Sequence, residues 1–287
     1  MIEPSELVLA SDGSLYHIHL TNDTLADDVI LVGDPGRVEM FKELFDSIEH
    51  ESFNREIHAV TGRYHGHRFT ALSTGMGCDN IDIVVSELDA AANIDLGRRT
   101  PKSLHRSLNM VRIGTSGSLH SDVPVGSLVA SKHAIGLDGL LNYYRHDPAQ
   151  LNQPLNDAFV RHMQLDSCFA LPYSADAGSH LFGRVAMGMH HAVTATAPGF
   201  YAPQGRQLRI KPSIDNLGDR LASFAWNGCR LTNLEMETSA IYGLSAIMGH
   251  QALTVCLIIA NRADGTFLND YHTQMRDTIA LVLDRLA

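Results

Sequence analysis

The residues with the most chemical potential lie in Asn233-Leu234-Glu235-Met236-Glu237-Thr238-Ser239, where two carboxylates flank a methionine at the end of an apolar run. In extended backbone, residues two apart face the same side, so Glu235 and Glu237 can address one pocket with Met236 between them. A carboxylate accepts hydrogen bonds from both hydroxyls of a vicinal diol, and a thioether offers a soft apolar surface to the carbon face of a ring. Such a pocket suits a sugar. The same tripeptide also reads as the acidic opening of a helix, favoured by the macrodipole, and other segments must decide between the two.

Three further sites carry anion chemistry. Gly33 with Arg37, the turn Gly75-Met76-Gly77, and Arg112 with Gly114 and Thr115 each combine glycine with guanidinium, hydroxyl or free backbone amides. Glycine lets the backbone approach an oxyanion, a helix N-terminus presents unpaired N–H groups, and arginine grips phosphate through two parallel hydrogen bonds. Taken singly, each is also compatible with an ordinary turn or a buried ion pair. No GxGxxG follows the first strand and no GxxxxGK[ST] occurs, which disfavours a dinucleotide enzyme and a P-loop ATPase.

These groups need elements to hold them. Periodicity predicts strands at 29–32, 67–74, 109–114 (breaking at 114–117), 127–132, 184–189 and 253–259, with helices at 38–45, 80–94, 156–163, 215–226, 238–248 and 271–286. Alternating strands and helices with glycine-rich exits predict an α/β fold, an α/β/α layered domain spanning 1–287, whose ligands gather outside the carboxyl ends of strands. The basic stretch 97–107, with Arg98, Arg99, Lys102 and Arg106, reads as a solvated surface insertion or an anion patch.

Bulk properties narrow the function classes. The chain has 287 residues, 45% hydrophobic and 19% charged, enough to bury a sizeable core. A formal charge of -10 argues against nucleic acid or an acidic membrane surface as partner. Four cysteines without CxxC spacing disfavour a disulfide framework and a zinc site and suit a reducing cytoplasm. The N-terminus has no secretory pattern, and the apolar run 253–260 is too short to span a bilayer. Sixteen histidines include no HExxH helix, so no metal site is expected.

Taken in order, GDPGR (33–37), NRE (54–56), STGMG (73–77), RIGTSG (112–117), FYAPQGR (200–206), NLEMETSA (233–240) and IIANR (258–262) resemble the nucleoside phosphorylase superfamily, most closely its uridine phosphorylases. The resemblance covers residues 33–262, and the YHIHLT segment extends it to His17. It implies a central sheet that is mixed and partly barrel-like, and reversible phosphorolysis of uridine to uracil and ribose 1-phosphate in nucleoside salvage. Inorganic phosphate is then the co-substrate and no organic cofactor is needed.

By the same resemblance Gly33, Arg37, Arg55, Arg112 and Thr115 bind phosphate. His17, Glu235, Met236 and Glu237 line the ribose, with Glu237 on the 2′- and 3′-hydroxyls and Glu235 shaping the pocket. Phe200, Gln204 and Arg206 take the base, and Arg112, Gln204 and Arg206 carry the catalytic load. Arg55 and His17 would come from a neighbouring subunit, implying a homodimer at least and a hexamer in some relatives, with a monovalent-cation site near Glu56 in some. Ala260-Asn261-Arg262 stands where purine enzymes of the superfamily carry a Ser-Asp step whose aspartate protonates the base, which favours a pyrimidine. Ala202-Pro203, Leu234 and the 97–107 insertion depart from the usual pattern and leave uracil against thymine, and ribose against deoxyribose, open. Two alternatives stand beside this reading: a purine or broad-specificity phosphorylase, and a noncatalytic nucleoside-binding protein on the same fold.

Overall fold

Successive side chains of the strand Asp28–Val32 point in opposite directions, and both directions are apolar. Val29 and Leu31 enter one hydrophobic cluster with the helices Cys78–Asn93 and Thr238–Met248. Ile30 and Val32 enter a second with Gly36–Leu44, Ser179–Val185 and His272–Leu286. A strand buried on both faces demands a helical layer on each side, which is the α/β/α arrangement expected. The computed structural model describes residues 1–287.

The sheet is mixed and partly closed. Gln251–Asn261 runs parallel to Asn109–Ser118 and antiparallel to Leu128–Gly136; His190–Thr196 then joins Leu128–Gly136 to Cys229–Glu235, both in parallel. Antiparallel pairs Asn233 with Ser118 and Leu234 with Gly117 return the last of these to the first, closing a five-stranded barrel. From Asn109–Ser118 the sheet continues open through Asp28–Val32, His67–Ser73, Ile57–Tyr64 and the edge strand Ser47–Asn54. No helix is long and apolar enough to cross a membrane.

Several elements differ from expectation. The strand at 109–114 does not break at its glycines: it runs Asn109–Ser118, because its last residues make the barrel closure. Residues 184–189 are not a strand. Leu181 and Val185, four apart, form the buried face of the helix Ser179–Val185, and a turn through Gly188 (φ 77°) precedes the strand His190–Thr196. The helix at 215–226 shortens to Leu217–Ala222; Ala225–Trp226 pair with Cys229–Arg230 across Asn227-Gly228, both at positive φ, a hairpin turn. The strands Ser47–Asn54, Ile57–Tyr64 and Tyr173–Asp176 were not anticipated.

The 97–107 stretch lies at the surface as a fastening, and none of its basic side chains lines the main cavity. Arg106 donates to Asp27 at 2.6 Å and to the Leu25 carbonyl at 2.7 Å, Lys102 donates to Asn22 at 2.7 Å, and Arg99 donates to the Leu7 carbonyl. Its positive charge is used to hold the N-terminal segment against the helix Cys78–Asn93.

Candidate active site

A cavity of about 680 Å³ lies at the carboxyl ends of Asp28–Val32, His67–Ser73, Asn109–Ser118, Cys229–Glu235 and Gln251–Asn261. Gly33, Arg37, Arg112, Thr115, Phe200, Gln204, Arg206, Glu235, Met236 and Glu237 all line it, as does Glu56. Residues from five separate segments therefore meet where the α/β rule places a ligand.

Arg112 is the centre of the anion side. It is 5% exposed, donates to Glu237, lies 3.6 Å from Glu235, and backs onto the Cys256 sulfur at 3.7 Å. Its Nε–H is buried without a partner. A buried donor left unpaired costs about 1–3 kcal/mol. Burial alone would lower the guanidinium pKa, but Glu237 and then Glu235 outweigh it and hold Arg112 firmly cationic. The Cys256 thiol is pushed up to about 12, chiefly by burial, so it packs behind the arginine as a neutral group. Gly114 is part of the same design: a Cβ there would lie 1.8 Å from Arg112 Nη1, so only glycine leaves room for the guanidinium.

The two glutamates have different jobs. One Glu237 oxygen accepts the Gly77 N–H at 2.8 Å and the other faces Arg112, leaving lone pairs free toward the cavity. Glu235 accepts from the backbone N–H groups of Glu237 (2.9 Å) and Thr238 (2.8 Å) and from the Thr196 hydroxyl. It caps the helix Thr238–Met248 and fixes the backbone from which Glu237 projects, so the helix-opening reading and the sugar reading both hold, one for each carboxylate. Gly75 (φ 72°) makes the turn opposite, where a Cβ would lie 2.3 Å from Asn80 Nδ2.

Burial is the main reason the Glu235 carboxyl sits above its ordinary range; Arg112 opposes the rise and Glu237 adds to it. A raised folded-state value means this group's contribution to stability is full below about 4.5 and is lost as pH climbs through the raised value. Glu235→Gln keeps an acceptor for the helix N-terminus and removes the titration. Its melting temperature should fall less between pH 5 and pH 8 than that of the unmodified protein; parallel curves in thermal denaturation would contradict this.

The opposite wall has amide and guanidinium character. Gln204 is 2% exposed and accepts from Arg206, which also donates to the Phe200 carbonyl at 2.7 Å and lies 4.0 Å from the centre of the Phe200 ring. Arg262 donates to the Gln204 carbonyl and so holds the loop from behind. Burial, followed by the proximity of Arg262, lowers the Arg206 pKa, and burial alone lowers that of Arg262. Two guanidiniums placed together in this way favour any negative charge that develops beside them.

Asn261 is buried and points away from the cavity. Its amide donates to the carbonyls of His120 (2.9 Å) and Val123 (3.1 Å), while its oxygen accepts from Ala263 (3.0 Å) and Asp264 (3.1 Å). Asn261→Asp would set a carboxylate against two carbonyl oxygens. We expect it to destabilise the fold by about 3 kcal/mol at neutral pH, to recover partly toward pH 5 as the carboxyl protonates, and to gain no purine cleavage. Thermal melts and inosine turnover test both parts.

Two candidates lie elsewhere. His17 hydrogen-bonds to Glu87, ten residues beyond Gly77 on the helix Cys78–Asn93, hence roughly 15 Å along the axis from the Gly77 contact with Glu237. Arg55 is exposed at φ 54° in the turn after Ser47–Asn54. Asn54 donates to the carbonyls of Tyr16 (3.0 Å) and His17 (3.2 Å), so His17 and Arg55 share one outer patch. Sequence reasoning missed Asn80, Phe267 and Tyr271 on the cavity wall and Arg262 behind it. Arg262 had a signal, its place after the last barrel strand; Phe267 lies in the link before the helix predicted at 271–286, and Tyr271 reads only as that helix's first residue.

A buried arginine beside a glycine turn, a carboxylate with lone pairs free, and an amide–guanidinium wall thus face one cavity, groups whose chemistry suits an anion, a vicinal diol and a polar ring. The family model described as "Phosphorylase superfamily" matches residues 27–287, and the chain belongs to that superfamily. It is 29% identical over 262 residues to a uridine phosphorylase of Thermococcus kodakarensis, covering 89% of this chain and 80% of that protein. It is also 25% identical over 276 residues to a DeoD-type purine nucleoside phosphorylase of Oceanobacillus iheyensis, covering 94% and 98%. Among solved structures, a Trypanosoma brucei nucleoside phosphorylase described as showing uridine phosphorylase activity superposes with a TM-score of 0.84 at 31% identity, over 98% of this chain and 99% of that one.

Proposed function

We propose that this protein catalyses the reversible phosphorolysis of uridine, giving uracil and ribose 1-phosphate. The observation that carries the reading is the triple juxtaposition in one cavity: Arg112 with an unpaired buried Nε–H, Glu237 beside it, and Gln204 with Arg206 on the far wall. Phosphate binds to Arg37, Arg112 and Thr115 and attacks C1′ from the face opposite the base. Glu237 accepts hydrogen bonds from the 2′- and 3′-hydroxyls, with Met236 against the sugar's carbon face. As the C1′–N1 bond breaks, its electron pair leaves with the base, where Gln204 and Arg206 stabilise it; solvent then supplies the proton. The anionic phosphate stabilises the oxocarbenium-like sugar meanwhile.

Charge balance supports a shared site. Arg112 faces two carboxylates, so the buried cluster is already anionic while Glu235 is ionised, and an arriving phosphate needs further cations. Arg37 supplies one; Arg55, together with His17, enters from a neighbouring copy across a homodimer interface. Glu56 offers an oxygen donor at the cavity wall for the monovalent cation in this reading. The setting is cytoplasmic pyrimidine salvage.

The pyrimidine preference rests on Asn261, whose amide is consumed by loop carbonyls and leaves no acid beside the base. Base release from uridine, thymidine, 2′-deoxyuridine, inosine and adenosine, with and without phosphate, tests the whole. Equal release without phosphate would eliminate phosphorolysis, preference for inosine would move the protein to the purine branch, and no release would leave a binding protein.

A further inference from the structure

A row of side-chain hydrogen bonds runs from strand to strand around the barrel. The Ser131 hydroxyl on Leu128–Gly136 lies 2.6 Å from that of Thr194 on His190–Thr196; Thr194 donates to the Asn233 side-chain carbonyl at 2.8 Å, and the Asn233 amide donates to Ser116 Oγ at 2.8 Å. All four residues are buried, and their strands are consecutive in the closed ring. Of the four, Ser116 alone lines the cavity. Thr194 spends its hydrogen on Asn233, so the hydrogen shared with Ser131 comes from Ser131. Run in the other direction, the row would leave the Ser131 hydrogen buried without an acceptor. At the cavity end Ser116 receives the amide and keeps its own hydrogen, which no oxygen of the protein accepts. The Cys256 thiol beside it is neutral and a weak acceptor.

We infer that Asn233, backed by Thr194 and Ser131, is a positioning residue that fixes the Ser116 hydroxyl as a hydrogen-bond donor to the bound phosphate. This rests on the proposed function. Arg112 and Ser116 lie four apart on one strand and face the same side, and the guanidinium fills the space over Gly114 between them. An oxyanion gripped by Arg112 therefore comes within reach of the Ser116 hydroxyl. A hydroxyl can donate or accept, and one that turned a lone pair toward an anion would repel it. Asn233 settles the choice by making Ser116 its acceptor, and the bonds behind it polarise the remaining O–H.

The test reads binding of inorganic phosphate to the full-length protein by titration calorimetry, with uridine kinetics alongside. Ser116→Ala should raise the phosphate Kd and KM about tenfold, the loss of one charge-assisted hydrogen bond, and leave the uridine KM within about twofold. Thr194→Val keeps the side chain's shape at a site that does not line the cavity; by breaking the row it should raise the phosphate Kd about threefold, and Thr194→Ser should restore it. In the Ser116→Ala background Thr194→Val should add nothing. Asn233→Asp should be more damaging than Ser116→Ala, because a carboxylate accepts from both hydroxyls and turns the Ser116 lone pairs toward the phosphate. Unchanged phosphate affinity in Ser116→Ala, a loss that falls on the uridine KM instead, or an equal effect of Thr194→Val in both backgrounds would each overturn the role and leave phosphorolysis standing. The expected pattern of phosphate binding in a protein that does not cleave uridine would support the role and overturn the uridine reading.

Discussion

Arg112→Ala should lower kcat/KM for uridine phosphorolysis by on the order of a thousandfold and raise the phosphate requirement sharply. Removing one partner of a buried ion pair costs about 3–5 kcal/mol, and here it strands two carboxylates at once. The loss should therefore appear in stability too. With the cation gone, Glu235 and Glu237 repel each other unscreened, so the variant's melting temperature should drop more steeply than the unmodified protein's as pH rises from 5 to 8. Arg112→Lys separates the two effects. It restores a charge but not the planar fork, so stability should return further than phosphate affinity does. Steady-state kinetics over phosphate concentration, with melts at the two pH values, decide the matter; an unchanged phosphate KM in Arg112→Ala would remove Arg112 from the anion site.

Gln204→Leu should be the next most damaging change, and on a different substrate. Gln204 is buried and carries the one side-chain acceptor that faces Arg206. Replacing it with an apolar group of similar size removes the contacts to the base proposed for the amide and takes away the acceptor that helps hold Arg206 over the Phe200 ring. Sites built to hydrogen-bond a ligand reject mismatches strongly because their polar groups are left unpaired. We expect kcat/KM for uridine to fall by about a hundredfold or more, with the phosphate KM little changed. Uridine kinetics indistinguishable from the unmodified enzyme would place the base elsewhere.

How much of this could be seen in the sequence depended on how local each signal was. Helices such as Thr238–Met248 announce themselves through periodicity within one segment, and the glycine and arginine pairs sit at the ends of strong apolar strands. The hairpin of Ser47–Asn54 and Ile57–Tyr64 did not, because the half-buried side of its edge strand is made of the polar residues His50, Ser52 and Asn54, which give no apolar alternation. Gln204 and Arg206 lie in a loop whose residues signal nothing by themselves; the family resemblance alone pointed to them. Arg262 supports that loop by a bond to a carbonyl 58 positions away, and the Asn261 partners lie 141 and 138 positions away, distances over which pattern carries no information. Gly114 looked like a strand breaker. It is a space left for a guanidinium.

The closure of Cys229–Glu235 onto Asn109–Ser118 has a consequence for how such an enzyme can change over evolutionary time. Arg112 and Thr115 lie on one of these strands, and Glu235 ends the other and caps the turn carrying Glu237, so the anion-to-sugar spacing is built into a hydrogen-bonded ring. Gln204 and Arg206 hang outside that ring on an irregular segment. Under the proposed assignment, substitutions in the hanging segment re-specify the base without moving the atoms that exchange bonds, whereas a slip in the ring would displace both reacting partners. Diversification should accordingly be uneven: rapid in the recognition loop, slow along the closed strands. Laboratory selection for altered base preference would best be confined to the former.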